Sequence, residues 1–471
     1  MLDTDAAIIL IDRLLKDVGT RQDAGRLAFA EVQIDSSSQA TSRFANSHMT
    51  QNQAQDATTV SLHLAGRESE CRLSTQDIST GGLARLVDDA YAALMLLPAA
   101  KDPPAETAEP SDLIDSGQIL DESRYDPACA ALDASERGKA IKRMIQKADG
   151  NDQPEAIQLA GILANGQRLV AFGNSRGVRR VYRETFIESS LTGVIRNCDG
   201  SNATGWAKGH QTSMRDLDLD ALTDRALAIT ARARNPREIA PGKYRVLLEA
   251  EAVLDLLGFI WWDFAATSHL DRLSPLAGKI GEQIFGSNVS LRDDVFHPLQ
   301  SGPRFDGSGY DRKTVDLVKD GVLTGLVTGS RSSRRLSALS PDIQLTGHGL
   351  PEPSAMGEIP ANPVFLPSDP RSMTIAIDDS VPTIVLNRVW YVREVDPSRK
   401  LLTGMTRDGI FMGGQEPLKN MRFNISLMDM LQSKSIVAMG PARRAAGEET
   451  FPAIVPSMIV DDFNFTETTK F

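Results

Sequence analysis

The chain has six histidines, and their spacing argues against the commonest hydrolytic metal site. A zinc peptidase helix presents two His one turn apart, with a Glu beside the first to act on the metal-bound water. His48, His63, His210, His269, His297 and His348 are each followed by a residue other than Glu, and no two stand a helical turn apart. A metal set gathered from distant residues stays open. Gly173-Asn174-Ser175-Arg176-Gly177 spells the G-x-S-x-G nucleophile elbow, which needs a strand before the serine and a helix after it. Residues 178–186 instead favour a strand, so a polar turn between two strands explains the glycines equally well. His269, close to Asp271, has the chemistry of a general base, although a lone His near a helix end is more often structural. Asp293-Asp294 has the charge to hold a cation, against the commoner reading of an acidic turn after a strand. No phosphate-binding Gly-x-x-x-x-Gly-Lys-Ser/Thr loop occurs.

The segment Trp390-Tyr391-Val392-Arg393-Glu394 stands out in a chain with four Trp and six Tyr. Strand alternation puts Trp390 and Val392 on one face and Tyr391 and Arg393 on the other. Extended peptides dock on strand edges and aromatic anchors, so Trp390, Tyr391, Arg393 and His269 are the candidate substrate-binding residues. The plain alternative is an ordinary half-buried strand. No residue is assigned as catalytic, as a metal ligand or as a cofactor contact.

These residues need elements to hold them. Apolar spacing predicts a helix over 5–18 and another over 82–97, capped by Ser79 or Thr80. Asp133-Ala134-Ser135-Glu136 has the form of a capping box opening a helix to about residue 147, and a further helix is expected over 219–234. Residues 59–64 alternate as a strand, and 178–189 read as a long one. Asn165-Gly166 within 160–172 predicts a hairpin. The stretch 98–111, rich in Pro, Ala and acid, reads as a surface linker, and 235–242 as a second boundary. Beyond it a helix is expected near 252–266, hairpins at Asp320-Gly321 and Asp408-Gly409, and strands over 372–377, 383–394 and 452–459. The expected organisation is an N-terminal α+β domain (1–97), a linker (98–111), a middle α+β region (112–240) and a β-rich C-terminal domain (241–471). The fold class is therefore α+β, with barrel-like closure of the C-terminal domain as one option.

Bulk properties narrow the function. A chain of 471 residues is too long for one ordinary core. A net charge of −11 argues against a nucleic-acid surface, which needs clustered Lys and Arg. Cys71, Cys129 and Cys198 are few and widely spaced, so a disulfide framework is not expected and a reducing, cytoplasmic setting fits. The acidic start, Met1-Leu2-Asp3-Thr4-Asp5, does not read as a signal peptide, and no apolar stretch approaches a membrane span.

Several segments together resemble the TldD/PmbA family of microcin-processing peptidases and proposed DNA gyrase modulators. Ser42-Arg43-Phe44-Ala45-Asn46-Ser47 is similar to its R-F-A-N segment, and Gly278-Lys279-Ile280-Gly281-Glu282-Gln283 followed by Asp293-Asp294 to its G-[KR]-[IL]-G-E region. Asp306-Gly307-Ser308-Gly309, Asp320-Gly321-Val322-Leu323-Thr324-Gly325 and Pro360-Ala361-Asn362 follow in the family's order. The resemblance implies a cytosolic heterodimer of two related subunits. One of them, TldD, carries an H-E-x-x-x-H zinc helix upstream of the G-[KR]-[IL]-G-E region, plus a Cys nearer its C-terminus. The corresponding slot here, 257–262, holds no His, Glu or Cys, and no Cys follows Cys198. The chain thus looks like the PmbA/TldE type, with an apolar helix where its relative holds metal. What this implies is a structural and peptide-binding subunit, without cofactor, that works beside a zinc-bearing TldD-like homologue. Two other readings stay open: a stand-alone hydrolase using His269, Asp271 or Ser175, and a homodimeric binding protein with no proteolytic partner.

Overall fold

The computed structural model describes the whole chain except residues 22–25, 100–103, 115–119, 151–155, 198–199, 338–343, 368–374, 379, 449 and 470–471. Cys198 therefore lies outside the described residues, while Cys71 and Cys129 are buried free thiols. The class is α+β.

The first half builds one seven-stranded sheet from β1 (Leu27–Ala45), β2 (His48–Gly66), β3 (Glu70–Thr75), β4 (Leu120–Arg124), β5 (Gln158–Asn174), β6 (Arg179–Arg196) and β7 (Asn202–Gln211). The order is β3-β2-β1-β5-β6, with β4 and β7 both paired to β6. Segments 1–97 and 112–240 thus contribute to a single sheet and not to two separate ones. Helices α1 (Thr4–Gly19), α2 (Thr80–Leu96), α3 (Pro127–Ala130), α4 (Ala134–Asp149) and α5 (Leu219–Arg232) pack on it. Asp3 caps α1, Ser79 caps α2 and Asp133 caps α4, each accepting a backbone N–H of the first turn. In α1 the buried residues Ala7, Ile11, Leu14 and Val18 recur one helical turn apart. They meet Ala171 and Leu169 of β5, whereas α4 and α5 cover Leu159 and Leu163 of the same strand. All four are odd-numbered positions of an unbroken strand, so the four long helices share one face of the sheet.

The opposite face carries Val170, Phe172 and Tyr182, which pack against Phe305 and Tyr310 of the second half. Part of the expected surface linker is drawn into this junction. Ala105, Thr107 and Ala108 are buried, and Asn174 Nδ2 donates to the Ala108 carbonyl at 2.7 Å.

The second half contains β8 (Gly242–Leu248), α6 (Ala250–Leu257), α7 (Ala266–Leu270), β9 (Val289–Asp293), β10 (Val315–Lys319), β11 (Val322–Leu323), α8 (Ser330–Ser337) and β12 (Pro363–Pro367). It continues with β13 (Thr383–Asp396), β14 (Leu401–Met412), β15 (Glu416–Pro417), β16 (Met421–Ser426), α9 (Leu427–Met430), β17 (Ile436–Met439), β18 (Arg443–Ala445), β19 (Ala453–Val455) and β20 (Met458–Thr468). One sheet is ordered β11-β10-β9-β12-β19-β18. The other runs β13-β8-β20-β16-β14, and β14 pairs back to β13, so the strands form a ring. Helix α6 is buried along its whole length between β8 and β13 of the ring and β18 and β19 of the other sheet.

Five local expectations are corrected. Asn165-Gly166 is no turn: β5 runs straight through it. Asn165 is buried and bonds Arg137 and the Cys129 carbonyl, and a Cβ on Gly166 would meet Phe186 at 2.5 Å. The pair serves close packing. Asp408-Gly409 also lies inside a strand, as a bulge in β14 where both residues take positive φ (53° and 117°) and face a single position of β13. The helix expected over 252–266 breaks at Gly258, where a Cβ would meet Thr450 at 2.5 Å. The strand expected over 452–459 divides at Pro456, which has no N–H for the ladder. Of the strand expected over 372–377, residues 372–374 lie outside the described residues and 375–377 lie in no strand. By contrast Asp320-Gly321 does close a tight hairpin, with Lys319 paired to Val322.

Candidate functional site

The break after α6 and the aromatic segment of β13 come together around one cavity of about 200 Å³. Its lining comprises Asp255, Gly258 and Phe259 from the end of α6, Val389 to Val392 from β13, and Glu448 and Thr450 from the segment before β19. Two stretches that sequence reading singled out for separate reasons, the slot at 257–262 and the Trp-Tyr pair, thus share a pocket.

Its aromatic wall depends on a bulge. Trp390 pairs with Met405 and Arg393 with Thr403, so Tyr391 and Val392 together face Gly404. Tyr391 has φ 50°, the left-handed region. Simple alternation therefore fails here. The Trp390 and Tyr391 rings do not point to opposite faces; they stack, with centroids 4.2 Å apart and planes 17° from parallel. The Arg407 guanidinium also sits over Trp390, 3.2 Å from the ring centroid. Tyr391 is 61% exposed, at the lip of the pocket.

The polar wall is braced from behind. Asp255 accepts from the Glu448 backbone N–H and from Thr450 Oγ1, both at 3.0 Å. The Glu448 carboxylate takes Arg388 Nη1 at 2.8 Å, and Arg388 Nη2 reaches Asp408 at 2.7 Å. Phe259 is fixed through its carbonyl, which accepts from Lys400 Nζ at 3.2 Å. Lys400 also pairs with Asp263 at 2.7 Å and Glu394 at 3.0 Å. Burial pushes the Asp263 carboxyl up to about 6 against the pull of Lys400.

The other sequence-derived candidates fall elsewhere. His269, on α7, is outside the lining; its Nε2–H donates to the Asp263 carbonyl at 2.7 Å, and burial lowers its pKa, keeping the ring neutral. Arg393 is exposed beyond the bulge and does not line the cavity. Asp271 pairs with Arg335 at the surface. Ser175 sits in a strand-to-strand turn, its Oγ accepting the Ala30 backbone N–H at 2.9 Å. Asp293 is fully buried, bonded to Arg312, His348 and the Asn362 N–H, while Asp294 accepts from Thr314. The two carboxylates are thus spent on separate internal bonds. Asp306 is held by the backbone N–H groups of Ser308, Tyr310 and Gly349, and burial pushes its carboxyl up to about 7.

The residues around α6 do not fit a zinc ion. The slot 257–262, expected as an apolar helix, is instead the break after α6, and α6 itself carries Glu251 and Asp255, one turn apart and both buried. Glu251 makes two bonds to Arg443, at 2.8 and 2.7 Å, and Asp255 is held as above. Burial alone would raise the Glu251 pKa, but Arg443 outweighs it and the net shift is downward. Among the described residues no three His, Cys, Asp or Glu side chains converge as a metal set. Sequence reading missed Asp255, Arg388, Arg407, Glu448 and Thr450. The one available signal was the pair of carboxylates in an otherwise apolar run, since buried acids need built partners.

Comparison with known proteins agrees with the resemblance. Residues 241–467 match the family model of the PmbA/TldA metallopeptidase C-terminal domain. An uncharacterized protein of Methanocaldococcus jannaschii is 27% identical over 207 residues, covering 43% of this chain and 47% of that protein. The metalloprotease PmbA of Escherichia coli O157:H7 is 29% identical over 184 residues, 38% of each chain. Both alignments span less than half of the relative's own length. Among solved structures, TldE from Thermococcus kodakarensis superposes with a TM-score of 0.82 at 13% identity, covering 98% of this chain and 100% of that one. A proposed DNA gyrase modulator from Thermotoga maritima gives 0.79 at 16% identity, covering 97% and 100%. At these identities the likeness shows the fold.

Proposed function

We propose that this chain, whose residues 241–467 match the PmbA/TldA metallopeptidase C-terminal domain, is a peptide-binding subunit that contains no zinc site of its own and serves a zinc-bearing, TldD-like partner. The observation that carries this reading is the cavity at the end of α6. At the slot where the resemblance puts a metal helix in the catalytic subunit, this chain has a break after α6 whose Gly258 and Phe259 face a stacked aromatic wall, and the two carboxylates just before it are bonded internally. Such a wall suits an extended, partly apolar polypeptide: Tyr391 and Trp390 give flat contact area at low entropic cost. Glu448 and Thr450 supply polar contacts at the rim. The subunit acts in the cytoplasm, and proteolysis takes place on the partner.

The test is cleavage of unfolded peptides by the purified chain, with and without a homologue bearing H-E-x-x-x-H. Cleavage should require the homologue and stop on chelation. Robust, chelator-sensitive cleavage by the chain alone would overturn the reading.

A further inference from the structure

The cavity at the end of α6 is small, and the charge of its wall has one sign. Its volume of about 200 Å³ is below the ~300–1,000 Å³ of a small-molecule pocket and suits one long side chain. Among the described residues the charged groups of the lining are Asp255 and Glu448, with no Lys or Arg in the wall. Asp255 accepts from neutral donors, the Glu448 N–H and the Thr450 hydroxyl. Glu448 bonds Arg388 through Oε2, and among the described residues its Oε1 has no hydrogen-bond partner. Arg388 is itself shared with Asp408. The aromatic side is a ladder. The Arg407 guanidinium lies 3.2 Å from the Trp390 centroid, and the Tyr391 ring lies 4.2 Å from it and nearly parallel. One face of the indole cannot hold both, so they occupy opposite faces. The ladder runs cation, indole, phenol, and its open end is the face of Tyr391 that Trp390 leaves bare.

We propose that this cavity takes an arginine side chain of the bound polypeptide, stacked on the open face of Tyr391 and donating to Glu448 Oε1. The inference rests on the reading of the cavity as a peptide site and adds which residue it selects. A carboxylate in the same place would meet two groups of its own sign. An aliphatic or aromatic side chain would fill the space, but it would shut Glu448 away from water with one oxygen unpaired. Lysine carries the charge, yet its ammonium has no flat face to lay on the tyrosine ring. Arginine has both a plane that stacks and N–H groups that a carboxylate accepts.

Fluorescence anisotropy with labelled, unfolded peptides and the full chain tests it. The peptides are identical except at one residue, which is arginine, lysine, citrulline, norleucine or glutamate. The arginine peptide should bind tightest. Citrulline, which keeps the plane and loses the charge, and norleucine should each bind at least about fivefold more weakly, and glutamate more weakly still. Glu448→Gln should close the gap between arginine and citrulline. Tyr391→Ala should bring arginine and lysine to one affinity. Tyr391 is exposed, so this second variant stays folded whatever the first does to the tie with Arg388. Equal affinity for all the peptides overturns the inference and leaves the peptide-binding reading standing. An arginine preference that survives both substitutions also overturns it. A chain that binds none of the peptides overturns both readings.

Discussion

Trp390 and Tyr391 are consecutive residues of one strand, yet their rings stack 4.2 Å apart on the same side of it. The left-handed backbone of Tyr391 turns what would be two opposed side chains into one wall. Tyr391 is the exposed half of that wall, so its removal should act on binding and little on folding. Tyr391→Ala is expected to weaken binding of an unfolded peptide by roughly three- to tenfold, the value of one aromatic contact. A fluorescence titration beside a thermal melt checks this. Unchanged affinity would remove Tyr391 from the binding surface.

Asp255 ties α6 to the segment before β19 through the Glu448 N–H and the Thr450 hydroxyl. Asp255→Ala leaves both part-buried donors without their acceptor, at a cost of about 1 kcal/mol. Urea unfolding should show the loss. Protease cleavage near residue 448 should also become faster, because the tie between that segment and α6 is lost.

Gly166 has no room for a methyl group: its Cβ would lie 2.5 Å from Phe186 and 2.6 Å from the Ser38 carbonyl. Gly166→Ala should destabilise the chain by about 1–3 kcal/mol, the usual penalty of overpacking. If Asn165-Gly166 were a hairpin turn, the same substitution would instead act locally and an insertion would be tolerated. An insertion here should abolish folding, as judged by soluble yield.

His63 lies between two carboxylates, Glu31 at 2.7 Å and Glu70 at 3.0 Å. Both ring nitrogens must donate, so the ring is an imidazolium. Burial works against that charge, but the two carboxylates outweigh it and raise the pKa from 6.5 to about 9. The folded protein therefore holds one more proton than the unfolded chain between these values. Stability from this site is complete below about 6.5 and is lost as the pH rises through about 9, by roughly 3 kcal/mol. Glu70 also pairs with Arg331 of α8, so the loss should loosen the contact between the N-terminal sheet and the second half. His63→Gln should flatten the alkaline limb of a stability–pH profile. A limb that persists would place its origin elsewhere.

Helices were legible through local signals: apolar spacing for α1, apolar spacing with a capping residue for α2 and a capping box for α4. Turn residues were legible only where they end a strand. Asp320-Gly321 closes a hairpin, whereas Asn165-Gly166 and Asp408-Gly409 carry similar residues through unbroken strands. What separates them is the neighbour across the sheet, Phe186 for Gly166, and no local pattern carries that information. The candidate site was half legible. Rare aromatic residues marked Trp390 and Tyr391. Glu448, Thr450 and Arg407 come from strands and loops far along the chain and carry no distinguishing pattern. His269 drew attention through its chemistry, but its ring nitrogen is used by the carbonyl six residues earlier.

The strand ring also has a temporal side. β8 opens the second half and lies between β13, well over a hundred residues later, and β20 at the far end. During synthesis β8 therefore emerges with neither neighbour yet made, exposing the apolar Val246 and Leu248 that will later be fully buried. The N-terminal sheet has all its strands by Gln211 and can form while the rest is still being translated. The C-terminal ring cannot close until its last strand has left the ribosome. This part of the molecule has the greater need of a chaperone, and a stalled chain ending before Met458 would present an open, aggregation-prone sheet edge.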